Sequence, residues 1–226
     1  PTRYTFFPYT TLFRSTLTET LRMEQNCLEQ IRHSINHCKN NIAVCEKQIK
    51  KCSSASLAIL ETKKSAFKDN LLIWNTMGHI QMASIEMKEY MKRLSVESID
   101  EWEERDVIKS VYTAIYETSK KLVDATADIF KFIKHYFPNY DYRAFTDVRK
   151  ELCRFRESNT SELTRVRNTI DAHRDVEVSV QIEVIEGLHL ANAVQLIVEY
   201  EGIINKLGNE TSPIKELGLK RLQACF

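Results

Sequence analysis

The sequence predicts an all-α protein, an antiparallel helical bundle that begins with a long heptad-patterned helix. The first observation behind this prediction is that apolar residues recur at helical spacing along most of the chain. The second is that glycine (5) and proline (4) are scarce among 226 residues, whereas a sheet-rich fold needs such residues in frequent turns. The third is a hydrophobic content of 43%, which is enough to form a core.

The heptad lies in residues 16–54, which we predict to be one long helix. Apolar side chains alternate there at spacings of three and four, which is the seam of a helix packed lengthwise on another helix. The seam residues are Leu28, Ile31, Ile35, Cys38, Ile42, Cys45, Ile49 and Cys52. We interpret its cysteines as small buried apolar residues, with a metal or disulfide role as the alternative.

Residues 55–208 are predicted to form the bundle itself. A second helix is expected from about 56 to 94, and a third helix should end where Pro138 disfavours helical backbone at the preceding residue. A shorter helix, from about 144 to 157, is expected to break at the polar run 158–161 before the next helix begins.

The C-terminal part is predicted to hold one more long helix, from about 189 to 206, which stops at Gly208. Residues 209–226 then form a tail. Residues 176–184 alternate between apolar and polar types, which is typical of a strand. Because a lone strand would have no partner, we interpret them as a helical turn or an irregular segment.

The first fifteen residues are predicted to be a non-native artefact. Residues 5–15 resemble the translation of a common sequencing-library adapter. We therefore leave residues 1–15 out of the fold prediction, as a remnant that is not part of the native protein. A native aromatic arm is the alternative. Without Arg3 and Arg14, 30 basic and 31 acidic residues remain, which argues against a globally basic nucleic-acid binder.

The sequence also indicates the compartment. It has no run of eighteen apolar residues, so we expect no membrane partner. The six cysteines include no Cys-x-x-Cys pair, which disfavours a zinc or dithiol site. A cytoplasmic protein with reduced cysteines is the expectation.

Arginine is concentrated in the C-terminal half, and this is where we expect function. The cluster is Arg143, Arg149, Arg154, Arg156, Arg165, Arg167 and Arg174. Guanidinium groups match phosphate oxygens, so Arg165, Arg174, Arg154 and Arg156 are candidate nucleic-acid contacts. The alternative is that helix-spaced acids neutralise them, as Asp171 could neutralise Arg167.

The stretch Arg167 to His173, followed by Arg174 and Asp175, resembles the Arg-x4–6-His signature of the HEPN superfamily, in which a polar residue such as Asn168 often follows the arginine. Members are all-helical domains that bind nucleotides or RNA. Many are metal-independent endoribonucleases of toxin or defence systems. The resemblance implies RNA as a partner, an antitoxin-like protein as another, and no metal or cofactor.

If that activity carries over, the catalytic residues are Arg167, Asn168 and His173. His173 would act as general acid or base, Arg167 would stabilise charge on the phosphorane, and Asn168 would orient one of them. Six residues advance a helix by about 600°, which leaves Arg167 and His173 on different faces. A homodimer that pools both residues is therefore expected.

Two other interpretations of the sequence stay open. His173 could be an ordinary helix-end histidine that contacts free carbonyls, and Arg32 to His37 also matches the signature by spacing alone. The alternative function is a non-catalytic helical scaffold that binds a partner, or itself, through the heptad helix.

Overall fold

The computed structural model describes residues 10–52, 54–95, 99–172 and 177–225, with side chains from Arg14 onward and outside 54–55 and 170–172. Within these ranges the chain is helical and contains no strand, which confirms the predicted all-α bundle. The elements are α1 (Thr10–Ile49), α2 (Ser54–Leu94), α3 (Glu101–Tyr136), α4 (Arg143–Val166), a π-helical turn (Arg167–Ala172), α5 (Val178–Glu186) and α6 (Leu190–Gln223).

Helices α1 and α2 form a long antiparallel hairpin, as the heptad predicted. Ile31, Cys38 and Cys45 are buried in the seam, and only Cys52, beyond the end of α1, is exposed. Burial also raises the pKa of the Cys38 thiol, which favours its neutral form. Cys38 and Cys45 therefore pack as apolar residues, as predicted, whereas the prediction is wrong for Cys52.

Helix α1 begins at Thr10 and so includes part of the adapter-like segment. The Arg14 guanidinium donates to the carbonyl oxygen and to the hydroxyl of Ser95, at the end of α2. The origin of residues 1–15 stays a prediction, but residues 10–15 continue the first helix without a break.

The core lies where α2 packs on α3 and α6, with α4 on the outer side of α3. Its largest fully buried side chains include Tyr112, Tyr200, Phe145, Ile108, Ile115, Leu122 and Ile129. The Tyr112 hydroxyl bonds Glu162 Oε1 at 3.2 Å and so joins α3 to α4. The Tyr200 ring stacks on Phe155, with centroids 5.3 Å apart, and joins α6 to α4.

A buried ion cluster joins α1 to the bundle. Lys88 Nζ of α2 lies 2.8 Å from Glu24 Oε1 of α1 and contacts Glu201 Oε1 of α6. It also donates to Ser84 Oγ at 2.6 Å, and Ser84 in turn donates to Glu24 at 3.0 Å. Burial acts to lower the pKa of Lys88, but the bonds to both carboxylates outweigh it and raise that pKa. Three helices are thus fixed around one ammonium group.

Two predicted helix boundaries are wrong. Residues 158–161 do not break α4, because Asn159 and Thr160 bond the carbonyls of Phe155 and Arg156 within the helix, at 2.8 and 2.5 Å. The last helix does not stop at Gly208 but runs on to Gln223, through Pro213. Residues 209–223 are therefore bundle helix, and their buried face, with Ile214 and Leu217, packs with the core.

Two glycines of α6 should change the stability of the protein in opposite directions when each is replaced by alanine. A Cβ at Gly218 would lie 2.7 Å from Ile73 Cδ1 and 2.9 Å from Asn70 Oδ1, whereas one at Gly202 would meet nothing within 4 Å. We expect Gly218→Ala to lower the free energy of unfolding by about 1–3 kcal/mol through overpacking. Gly202→Ala should raise it by about 0.5–1 kcal/mol through helix propensity. Urea denaturation measures both, and shifts of the same sign would contradict the packing seen at Gly218.

Candidate functional site

The predicted motif begins where α4 gives way to the π-helical turn Arg167–Ala172. The Arg167 N–H bonds the carbonyls of both Leu163 and Thr164, a shared bond that is common at the end of an α-helix. Single π-turns of this kind are rare and occur often at functional sites. The motif therefore follows α4 directly and does not lie on a separate helix that begins after residues 158–161, as predicted.

Arg167 is held by three neighbours. Its Nη2 lies 3.2 Å from Glu117 Oε1 of α3, and its Nη1 donates to Asn168 Oδ1 at 3.1 Å. The guanidinium carbon lies 5.4 Å from the ring centroid of Tyr116. About a third of the side chain, 32%, remains exposed, so the cation is fixed in direction and still reachable.

Arg167 has an ion partner that its sequence spacing did not suggest. The i,i+4 pair with Asp171 was the alternative, and the side chain of Asp171 lies outside the described residues. Glu117, fifty positions earlier in the sequence, is the residue that the structure pairs with Arg167. Asn168 contacts Arg167 itself, so the structure brings together two of the three predicted catalytic residues.

His173 and Arg174, the third predicted catalytic residue and one predicted RNA contact, lie outside the described residues. The other predicted contacts lie along α4, where Arg154 and Arg165 are exposed and Arg156 is partly buried. Arg154 and Arg165 are eleven residues apart, which places them on nearly the same face of the helix.

Other arginines of the cluster serve the structure. Arg143 Nη2 lies 2.6 Å from Asp141 Oδ2, and the hydrogen bonds from Arg143 lower the pKa of Asp141 to about 2. The Arg149 guanidinium lies 5.9 Å from the ring of Phe130. The alternative interpretation of the cluster, neutralisation by nearby acids, thus holds for Arg143.

A cleft of about 510 Å³ opens between α2 and α3, beside the Arg167 pair. Glu117 lines it and at the same time holds Arg167, so the cleft and the motif share one carboxylate. Its lining residues are His79, Met82, Glu86, Tyr90, Asp106, Lys109, Ser110, Thr113, Ala114, Glu117, Thr118 and Lys121. Clefts of this size are the usual places for small ligands or parts of larger ones.

Two titratable groups in the cleft have pKa values that differ from their ordinary ones. Burial, with a smaller contribution from the charge of Lys121, lowers the pKa of His79. Burial and then the neighbouring Glu86 raise the pKa of Tyr90 to about 12. A neutral imidazole beside a lysine can accept a proton, so His79 is a second candidate acid or base. No motif in the sequence distinguishes it, because its neighbours come from another helix.

The aromatic run 130–142 packs largely on itself. The rings of Phe130 and Tyr142 meet edge to face with centroids 5.4 Å apart, and Phe132 lies buried between Tyr136 and Phe137. Rings that pack in this way belong to the core. A nucleobase-stacking role for this run is therefore disfavoured.

Comparison of the chain with protein-family models, with curated proteins and with solved structures gives no match. Among the residues that the structure describes, no group of three or more His, Cys, Asp or Glu side chains is placed to hold a metal ion. Within the same residues, no helix is both long and apolar enough to cross a membrane.

Proposed function

We propose that the chain is an RNA-directed domain of HEPN type and cleaves RNA without a metal ion. The observation that carries the proposal is the Arg167 arrangement: a partly exposed guanidinium at a π-helical turn, fixed by Glu117, Tyr116 and Asn168. A cation that is already fixed in place stabilises the negative charge on a phosphorane well, because the site does not have to reorganise during the reaction.

In this proposal each residue acts as the resemblance implies. Arg167 stabilises the negative charge that builds on the phosphorane oxygens as the RNA's own 2′-hydroxyl attacks the phosphorus and the bond to the 5′-oxygen of the next nucleotide breaks. His173 transfers the proton, and Asn168 orients the guanidinium through the 3.1 Å bond between their side chains. Arg154 and Arg165 bind the backbone of the strand along α4, since guanidinium forks suit phosphates.

The proposed active form is a homodimer, in which two protomers supply Arg167 and His173 to a shared site. An antitoxin-like protein that covers this site would be the natural regulator of such a nuclease. Cytoplasmic location belongs to the same proposal. The homodimer, the regulator and the location all follow from the resemblance. All three depend on RNA binding, which can be tested directly at the site.

RNA binding tests the proposal. Because Glu117 partly neutralises Arg167, we expect Glu117→Gln to tighten single-stranded RNA binding by about threefold. Arg167→Ala should weaken binding and reduce the slope of log K against log salt by about 0.7, one phosphate contact. Fluorescence anisotropy over a salt series measures both effects.

The matched controls are Glu157→Gln, which removes an equal charge from the exposed side of α4, and Arg143→Ala, at an exposed ion pair away from Arg167. Affinities that change as much in the controls as at Glu117 and Arg167 would refute a specific phosphate contact.

The alternative is a non-catalytic scaffold that acts through the heptad helix. Its specific feature, the apolar seam of α1, is already covered by α2. A scaffold would have to use another face of the hairpin, which makes it the weaker of the two proposals.

A further inference from the structure

The far end of the α1–α2 hairpin is rich in lysine and takes no part in the proposed RNA site. We call residues 39–68 the basic tip. It holds seven lysines and two glutamates, whereas the rest of the chain holds 25 basic and 29 acidic residues. The lysines are Lys39, Lys47, Lys50, Lys51, Lys63, Lys64 and Lys68. The excess of basic over acidic residues is thus concentrated at one end of one hairpin.

The outer part of the basic tip extends beyond the body of the bundle. The last helix ends beside Thr62, where Cys225 Sγ lies 4.0 Å from the Thr62 carbonyl oxygen. The α2 residues that precede Thr62, from Ser56 to Ile59, are all exposed. Residues 54–61 add about 12 Å of helix past this contact, so the tip can reach a flat surface before the bundle does.

Branched aliphatic side chains stand exposed among the lysines. The exposed fractions are 52% for Val44, 40% for Leu57 and 60% for Ile59. Lys47, Lys50 and Lys51 are exposed around the turn that joins the two helices. Aliphatic groups beside lysines are the combination that lets a helix bind an anionic lipid interface.

The same composition argues against RNA as the partner of the tip. The basic tip has no arginine, and its one aromatic residue, Phe67, is buried. Surfaces that bind single strands use rings for stacking and arginine forks for phosphates, as the α4 region could do. Lysines act as point charges, which suffices for attraction to a charged bilayer.

We propose that the basic tip docks the protein on anionic phospholipid membranes, with Val44, Leu57 and Ile59 entering the headgroup region. This is peripheral contact and involves no spanning helix. It revises the expectation from sequence that the chain has no membrane partner, and it does not depend on the proposed ribonuclease activity.

Sedimentation of the full chain with vesicles tests the proposal. Wild type should bind vesicles of phosphatidylserine and phosphatidylcholine in equal parts, and bind phosphatidylcholine alone far more weakly. Each lysine near an anionic surface contributes about fivefold in partitioning, so K47Q/K50Q/K51Q should lose about 100-fold. V44S/I59S should lose about tenfold, and both variants alter exposed side chains, so circular dichroism should stay that of wild type.

The matched control is K120Q/K131Q/K150Q, which removes three exposed lysines from the body and should lose little vesicle binding. Equal losses in the control and the tip variant would overturn the proposal. So would wild-type binding that does not distinguish the two kinds of vesicle. A tip variant that loses RNA affinity while vesicle binding is unchanged would overturn it in favour of RNA.

Discussion

Replacing Lys88 by methionine is expected to lower the free energy of unfolding by about 3–5 kcal/mol. The ammonium group is the only positive charge that contacts Glu24 and Glu201 in the described part of the cluster, and all three side chains are mostly buried. Without it two carboxylates would face each other in a site of low polarity. Urea denaturation with a fixed buffer and salt concentration measures the loss.

The matched control replaces all three charges, as K88M/E24L/E201L. Buried ion clusters can be exchanged for apolar side chains of similar volume with little cost, so this variant should recover most of the stability that K88M loses. If K88M unfolds at the same urea concentration as wild type, the ion cluster is not what fixes α1 to the bundle.

The pH dependence of Lys88 has a definite sign. Because the folded state raises its pKa above the ordinary 10.5, the folded state binds the proton more tightly than the unfolded chain. Its contribution to stability is complete below the unfolded pKa and is lost as pH rises through the folded pKa. The stability difference between wild type and K88M should therefore shrink only above about pH 10.

Arg167→Ala is expected to reduce the rate of RNA cleavage by about 10²–10³-fold, the usual effect of removing one group that stabilises an oxyanion. The fold should tolerate the change, because the pair with Glu117 is partly exposed and such pairs contribute about 1 kcal/mol or less. Arg167→Lys keeps the charge but loses the planar fork, so it should recover only part of the rate.

Single-turnover cleavage of a labelled RNA, with thermal unfolding of each variant beside it, measures this effect. Arg143→Ala is the control, since Arg143 is an exposed arginine paired with Asp141. A rate for Arg167→Ala that equals the rate for Arg143→Ala would remove Arg167 from the mechanism.

The sequence predicts the parts of the fold that depend on local periodicity. The heptad gave the α1–α2 hairpin, and Pro138 marked the end of α3, which is Tyr136. Both signals act over a few residues, so no knowledge of tertiary contacts is needed to interpret them.

The helix boundaries predicted from the sequence are wrong where tertiary packing outweighs the local preference of a residue for ending a helix. Gly208 and Pro213 usually interrupt helices, yet α6 continues because its apolar face, with Leu207 and Ile214, is fully buried. The interpretation of residues 176–184 as a helical turn, made against their strand-like alternation, agrees with the structure, in which residues 178–186 form α5 and the described residues offer no strand with which they could pair. Helical stability in proteins comes mainly from such tertiary packing.

At the candidate site the sequence identified Arg167 and Asn168 but not what holds them. Glu117 and Tyr116 come from α3 and His79 from α2. No spacing rule joins residues that are fifty or more positions apart, so these neighbours become visible only when the helices are packed together.

The central claim is a metal-independent ribonuclease, and it is tested most directly by RNA cleavage with the purified full chain in EDTA, beside His173→Ala. Our account predicts that wild type cleaves in the presence of the chelator, that the variant does not, and that an RNA with 2′-deoxyribose at the cut position is spared. If wild type and His173→Ala are equally inactive at micromolar concentration, or equally active, the motif is an ordinary helix end and the claim is wrong.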